Sequence, residues 1–170
     1  VILARLGFGL VALLAGGCGY RLAHGAADPI GPLAVQGAAV IVPAAAAVAA
    51  VEAGARAELS RSGQLAGCDP ARCPALVVEV LRVDEEGAAV GVGGQGAPLG
   101  RGVTFSVTGR AYVRRAPSAA PERDTGDVTV REGVARQDEP LGMEFSREEA
   151  LQRAAHRLGE TLVRRALTGF

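Results

Sequence analysis

The sequence predicts an α+β fold: a two-layer sandwich in which a mainly antiparallel four-stranded sheet carries two helices on one face, in the order β-α-β-β-β-α. Three observations predict it. Residues 102–115 alternate, with Val103, Phe105, Val107, Ala111 and Val113 on one parity and Thr104, Ser106, Thr108, Arg110, Tyr112 and Arg114 on the other. Such alternation marks a sheet with one dry and one polar face. Residues 44–62 repeat Val48, Val51, Ala55 and Leu59 at steps of three and four, the apolar stripe of a helix. Leu151, Ala155, Leu158, Leu162 and Ala166 form a second such stripe near the end of the chain. One-sided strands and one-sided helices bury each other as two layers.

The elements follow in order. Residues 33–42 are apolar and end in Ile41-Val42 before Pro43, which predicts a first strand that Gly37 weakens or bulges. In the helix over 44–62, Glu52, Arg56, Glu58 and Arg61 lie mostly off the stripe, and Gly63 is placed as its left-handed cap. Residues 76–83 (LVVEVLRV) are rich in β-branched side chains and predict a strand covered on both faces. Residues 87–100 read as a Gly-rich loop and 102–115 as the alternating strand. Residues 116–121 then turn on two prolines. Val128, Val130 and Val134 alternate through a fourth strand over 125–136, and a loop with Pro140 fills 137–145. Ser146-Arg147-Glu148-Glu149 has the form of a capping box, so the last helix is expected to start there. Arg164 and Arg165 in its last turn complement the helix dipole.

Composition narrows the function. The 170 residues suit one domain, and 18 basic residues balance 18 acidic ones. Every basic residue is Arg. Zero net charge argues against a general nucleic-acid binder, which needs a cationic surface to displace counterions. Aromatic residues are 4% of the chain, too few for base-stacking platforms.

The opening segment reads as an export signal over residues 1–17. Arg5 gives a positive start, residues 6–15 (LGFGLVALLA) are apolar over a signal-peptide length, and Ala15, Gly16 and Gly17 are small residues before Cys18. The run is too short to span a bilayer as a mature helix. Leu14-Ala15-Gly16-Gly17-Cys18 resembles the bacterial lipobox, with its Leu one place earlier than the commonest form. That resemblance implies cleavage before Cys18, a diacylglycerol thioether on its sulfur and acylation of the new amine. Several acyl chains anchor stably where one is marginal. An ordinary signal peptide, or a buried helix with a chance Cys, are the alternative readings. Gly19, where an inner-membrane lipoprotein often has Asp, favours the outer membrane. Residues 18–32 read as a lipidated Cys and flexible tether, and 33–170 as the domain.

With Cys18 acylated, Cys68 and Cys73 remain as an even pair in Gly-Cys-Asp-Pro-Ala-Arg-Cys-Pro. A disulfide is the first expectation in an oxidising compartment, free thiols the second, and a metal site a distant third. His24 and His156 have no ligand spacing to these cysteines, so no metal and no cofactor are expected.

Two strings invite chemistry. Residues 91–96 (GVGGQG) satisfy G-x-G-x-x-G, but Pro98 and a strand follow where a dinucleotide site needs a helix, so a hairpin loop is expected. Asp124-Thr125-Gly126 matches the core of the aspartic-protease motif. That mechanism needs two carboxylates sharing a proton in an apolar setting, and Arg123 and Asp127 flank the single copy, so a turn before a strand is expected. No nucleophile, base and acid converge in the sequence, and no enzyme is expected.

The order of elements and the opening motif resemble the LPS-assembly lipoprotein LptE family. The residues concerned are Gly17-Cys18-Gly19-Tyr20-Arg21-Leu22, the helix end Glu58-Leu59-Ser60-Arg61-Ser62-Gly63, and Arg147-Glu148-Glu149-Ala150-Leu151 opening a last helix with Leu158 and Leu162. Residues 38–50 depart from the family in being Ala-rich, and the Cys68–Cys73 pair is not a family mark. The resemblance implies a non-enzymatic outer-membrane lipoprotein on the periplasmic side. Its implied partners are an LptD-like β-barrel LPS-assembly protein and lipopolysaccharide. The alternative is another periplasmic lipoprotein binding module, such as an auxiliary subunit of a lipid ABC transporter. Arg110, Tyr112 and Arg114, on the polar parity, are the candidate anion or LPS-binding residues, since guanidinium forks match phosphate. An ordinary solvated face is the other reading of the same residues.

Overall fold

The structure, a computed structural model, describes residues 30–38, 45–89, 101–135 and 140–168. Its elements are β1 (Ala34–Gly37), α1 (Ala45–Arg61), β2 (Ala75–Ala89), β3 (Arg101–Arg114), β4 (Val128–Ala135) and α2 (Pro140–Thr168). The order is β-α-β-β-β-α, an α+β fold, as the patterning predicts. The sheet order is β1-β2-β3-β4. β2, β3 and β4 pair antiparallel through consecutive hairpins, whereas β1 pairs parallel to β2. The sheet is therefore mixed. The parallel pair follows from α1, which returns the chain so that β2 starts beside the start of β1.

The sequence signals place these elements closely. In α1, Ala47, Val51, Gly54, Ala55 and Leu59 are buried, while Val48 is only partly so. Gly63 takes φ +70°, its amide donates to the Ser60 carbonyl at 3.1 Å, and the Gln64 amide donates to Leu59 at 2.8 Å. These two bonds are a Schellman closure, and they satisfy carbonyls that would otherwise be orphaned. Leu76, Val77, Val78 and Val80 are all buried, which is the covering of β2 on both faces.

β2 also shows what its sequence conceals. The register shifts between Val80 and Arg82, so Leu81 is an extra residue in the ladder. Before it, Leu76, Val78 and Val80 join the core; after it, Val83 pairs with Val107 and lies against the core. A bulge switches which parity faces inward. β2 then runs on to Ala89, beyond the predicted loop start at Gly87.

Two boundaries are corrected. α2 starts at Pro140, so Ser146 lies in its second turn and is not an N-cap. Proline suits the first turn of a helix, where its missing amide has no partner to lose. The predicted loop over 137–145 is thus helical from Pro140 onward. Ile30 packs against the core, so the folded part begins before the predicted boundary at Leu33. The predicted signal peptide, Cys18, His24, the 91–96 string and residues 39–42 of the first strand lie outside the described residues.

Both helices cover one face. Val35, Leu76, Val78, Val80, Val107, Ala111, Val113 and Val128 from the sheet meet Val51, Leu59, Leu158 and Leu162 from the helices in one core. α1 and α2 run in the same direction, since Ala46–Ala53 flank Glu149–His156 and Glu58 flanks Arg164. They cross where Gly54 meets the backbone of His156 and Gly159 meets the backbone of Val51 and Ala55. A methyl group at Gly54 would stand 2.0 Å from the His156 carbonyl oxygen, and one at Gly159 would stand 2.1 Å from that of Val51. No side chain can fit at either point. Gly109 does the same for the sheet, since a methyl there would stand 2.6 Å from the Glu79 carbonyl oxygen.

Charges tie the layers at their margins. Glu132 of β4 accepts from Arg153 at 3.3 Å and Arg157 at 2.9 Å of α2. Glu58 of α1 accepts from Arg164 at 2.9 Å and also pairs with Arg61, and Glu160 joins Arg61 at 3.2 Å and Arg164 at 3.5 Å.

Candidate functional site

The alternation of β3 sends Arg110, Tyr112 and Arg114 to the sheet face away from the helices, while Gly109, Ala111 and Val113 turn inward. Residues two apart on a strand lie about 7 Å from each other on one face, so the three side chains form a row. Across the ladder Arg110 is opposite Glu79, Tyr112 opposite Val77 and Arg114 opposite Ala75. Val77 and Ala75 are buried although they point to this face. Both are closed off from solvent, so what the face presents is its polar row.

The row is brought together as the sequence predicts, but its cations are engaged. Arg110 Nη2 donates to Asp127 Oδ1 at 2.8 Å. Arg114 Nη2 donates to Gln36 Oε1 of β1, and Arg115 pairs with Glu122 at 2.9 Å. Glu79 and Asp127 thus supply two carboxylates near Arg110. Arg110 Nε is buried and makes no hydrogen bond, so one donor of the guanidinium is unsatisfied. The Arg110 and Asp127 side chains are 39% and 57% exposed, and an exposed pair of this kind is worth little, ~0–1 kcal/mol. A stronger anion such as a phosphate can displace the carboxylate without a large penalty. Along the same face Ser106 is buried, and the Thr108 and Thr129 hydroxyls lie 2.8 Å apart.

The partners Gln36 and Asp127 were not legible as site residues. Gln36 reaches the row through parallel pairing of β1, and Asp127 through the turn before β4. That turn is the protease-like string. Asp124 Oδ1 accepts from the Gly126 amide at 2.8 Å, Gly126 takes φ +64°, and Thr125 Oγ1 accepts from the Ala111 amide at 2.9 Å. The carboxylate is occupied in shaping its own loop, as the expected turn requires. His156 faces the groove between the helices, 3.9 Å from Glu160.

Cys68 and Cys73 are joined as a disulfide, with Cα atoms 6.4 Å apart. Asp69 braces the loop by accepting from the Ala71 amide at 2.9 Å. Of the three expectations for this pair, the disulfide is the one present.

Glu58 is a carboxylate whose environment shifts its titration. The hydrogen bond from Arg164, outweighing the cost of burial and joined by the nearby Arg61, holds its carboxyl below the usual range. Arg164 in turn holds its proton more tightly because of Glu58. Arg147 does so because of its hydrogen bond to Glu85. These pairs fasten elements together and lie away from the Arg110 row. No helix among the described residues is long and apolar enough to cross a membrane.

Fold and face together define a small two-layer α+β module with a polar, arginine-bearing sheet surface. Its architecture is similar to that of a candidate lipoprotein from Caulobacter crescentus CB15, at 13% identity and a TM-score of 0.54, covering 79% of this chain and 86% of that one. A minor lipoprotein from Acinetobacter baumannii matches at 12% identity and a TM-score of 0.47, over 80% of this chain and 94% of that one. The rare lipoprotein B from Shewanella oneidensis matches at 9% identity and a TM-score of 0.46, over 78% and 91%. No family model and no curated protein matches the chain. At such identity the likeness concerns the fold.

Proposed function

We propose that this chain is a lipoprotein anchored through Cys18 to the outer membrane on its periplasmic side, and that it acts without catalysis in lipopolysaccharide assembly with a β-barrel partner. One observation carries the reading. A lipobox-like Leu14–Cys18 stands before a domain whose architecture is shared with a candidate lipoprotein. The LptE-like residue matches at the start, at the end of α1 and within α2 supply the specific role. The Arg110, Tyr112 and Arg114 row supports it, since guanidinium groups match the phosphates of lipid A.

The test is purification of the tagged chain from detergent-solubilised outer membranes of its own bacterium. The reading expects a large β-barrel at near-equal amounts, surviving high salt. Recovery with an inner-membrane transporter instead would transfer the protein to the auxiliary-subunit class.

A further inference from the structure

Leu141 and Phe145 are 70% and 72% exposed. They lie one helical turn apart in the N-terminal turns of α2. On a helix of 100° per residue, Leu141, Phe145, Gln152, His156, Gly159 and Val163 fall within a sector of about 60°. Further along α2 this sector is the contact with α1: Gly159 is pressed against the Val51 carbonyl and Val163 is fully buried. Toward the N-terminus the helices separate from their glycine crossing. Between them opens a groove of about 560 Å³, with Ala46, Ala49 and Ala53 on one wall and Glu149, Gln152, Arg153 and His156 on the other. Above it the sector continues as Leu141 and Phe145 with no described element beside it. Among the described residues, the stripe that binds a helix lower down is therefore unpartnered higher up.

The rim gives the charge of what fits. Glu144 and Glu148 are exposed beside the two apolar side chains. Glu149 is already paired with Arg153 at 2.6 Å, and Arg147 is turned to Glu85. Glu148 accepts from neutral Gln152 at 3.3 Å and keeps its charge, and Glu144 acts on Arg147 only at a distance, so among the described residues the charge around the strip is acidic on balance. An anionic membrane surface is repelled by it, and a second copy would bring the same acids to the same place. Small alanine side chains let another backbone approach closely.

We propose that this strip, from Leu141 and Phe145 into the alanine groove, docks a cationic amphipathic helix of another protein. Its apolar face covers Phe145 and the alanines, and its Lys or Arg residues meet Glu144 and Glu148. The proposal concerns the helical face and does not depend on the lipopolysaccharide reading, which concerns the sheet face.

The probe is a two-heptad peptide of sequence Leu-Lys-Lys-Leu-Leu-Lys-Leu, repeated once and fluorescently labelled. It is titrated onto the full chain in neutral nanodiscs, with empty nanodiscs subtracted. The counterpart with Glu for Lys is the charge control. Specific binding is expected for the cationic peptide only. Phe145→Ser, an exposed change that spares the core, should weaken it about tenfold. Ala49→Arg, which blocks the groove from the other helix, should do the same. Equal binding to Phe145→Ser or to the acidic peptide overturns the proposal. So does binding no greater than to empty nanodiscs, which would make the strip a membrane contact. Concentration-dependent dimers abolished by Phe145→Ser would also overturn it, in favour of a second copy.

Discussion

Arg110 is the residue on which the sheet face turns. Its Nη2 donates to Asp127, while its Nε is buried and unsatisfied. If lipid A phosphate binds there, it competes with the Asp127 carboxylate. Asp127→Asn should then strengthen binding to lipid A several-fold, and Arg110→Ala should weaken it by about tenfold, the loss of one charge-assisted contact of about 1.5–3 kcal/mol. Calorimetric titration with lipid A micelles reads both, and opposite signs are the informative outcome. Glu58 makes a second residue-scale expectation. Its carboxyl titrates lower in the folded chain than the ordinary value of about 4.3. Its contribution to stability is therefore complete above that ordinary value and fades as pH falls through the lower folded value. Glu58→Gln should lower the melting temperature at pH 7, and the gap from the unchanged chain should close toward pH 3. The Arg110 row is legible in the sequence because residues of one parity on a strand share a face. Asp127 and Gln36 were not legible, because contacts between distant segments depend on register, which no local pattern specifies.

Among the elements, the two helices show where local preference and packing disagree. Alanine is favoured over glycine inside a helix by about 1 kcal/mol. Gly54 and Gly159 nonetheless sit in mid-helix, because a methyl group at either would run into the neighbouring backbone. Overpacking costs about 1–3 kcal/mol and more where backbone must move, so the clash wins. Gly54→Ala and Gly159→Ala should each destabilise the domain by about 1–2 kcal/mol net in urea denaturation, the upper part of the overpacking cost less the helix gain. The start of α2 makes the complementary point. A true N-cap serine costs about 1 kcal/mol when changed to Ala. Ser146 lies inside the helix, so Ser146→Ala should cost clearly less, and a full capping penalty would put the helix start back at Ser146. The order of the six elements followed from the periodic stripes of α1, β3, β4 and α2 and from the apolar and β-branched runs of β1 and β2. Three features escaped it: the Leu81 bulge, the parallel pairing of β1 and the extra helical turn from Pro140. Each is settled by tertiary partners. Glu85 inside the shifted register pairs with Arg147, just past that added turn of α2, an interaction that no pattern of apolar residues encodes.

For the whole molecule, two faces of one small sandwich present different chemistries. The sheet carries a row of arginines, and the helical layer carries an apolar strip with Glu144 and Glu148 beside it. A scaffold with a fixed core and two such faces suits a module that binds on both sides. Its fold is similar to that of a candidate lipoprotein at 13% identity. Fold was legible in the sequence because dry faces repeat with a period. Function was legible only through a short ordered motif at the start of the chain, where Arg5, the apolar run, the small residues and Cys18 follow one another. The envelope reading rests on that motif, and the intact mass of the chain isolated from its own bacterium tests it most directly. The account expects a mature protein that begins at Cys18 and carries the added mass of a diacylglyceryl group and an amide-linked acyl chain. A chain of unmodified mass that still holds residues 1–17 would contradict it.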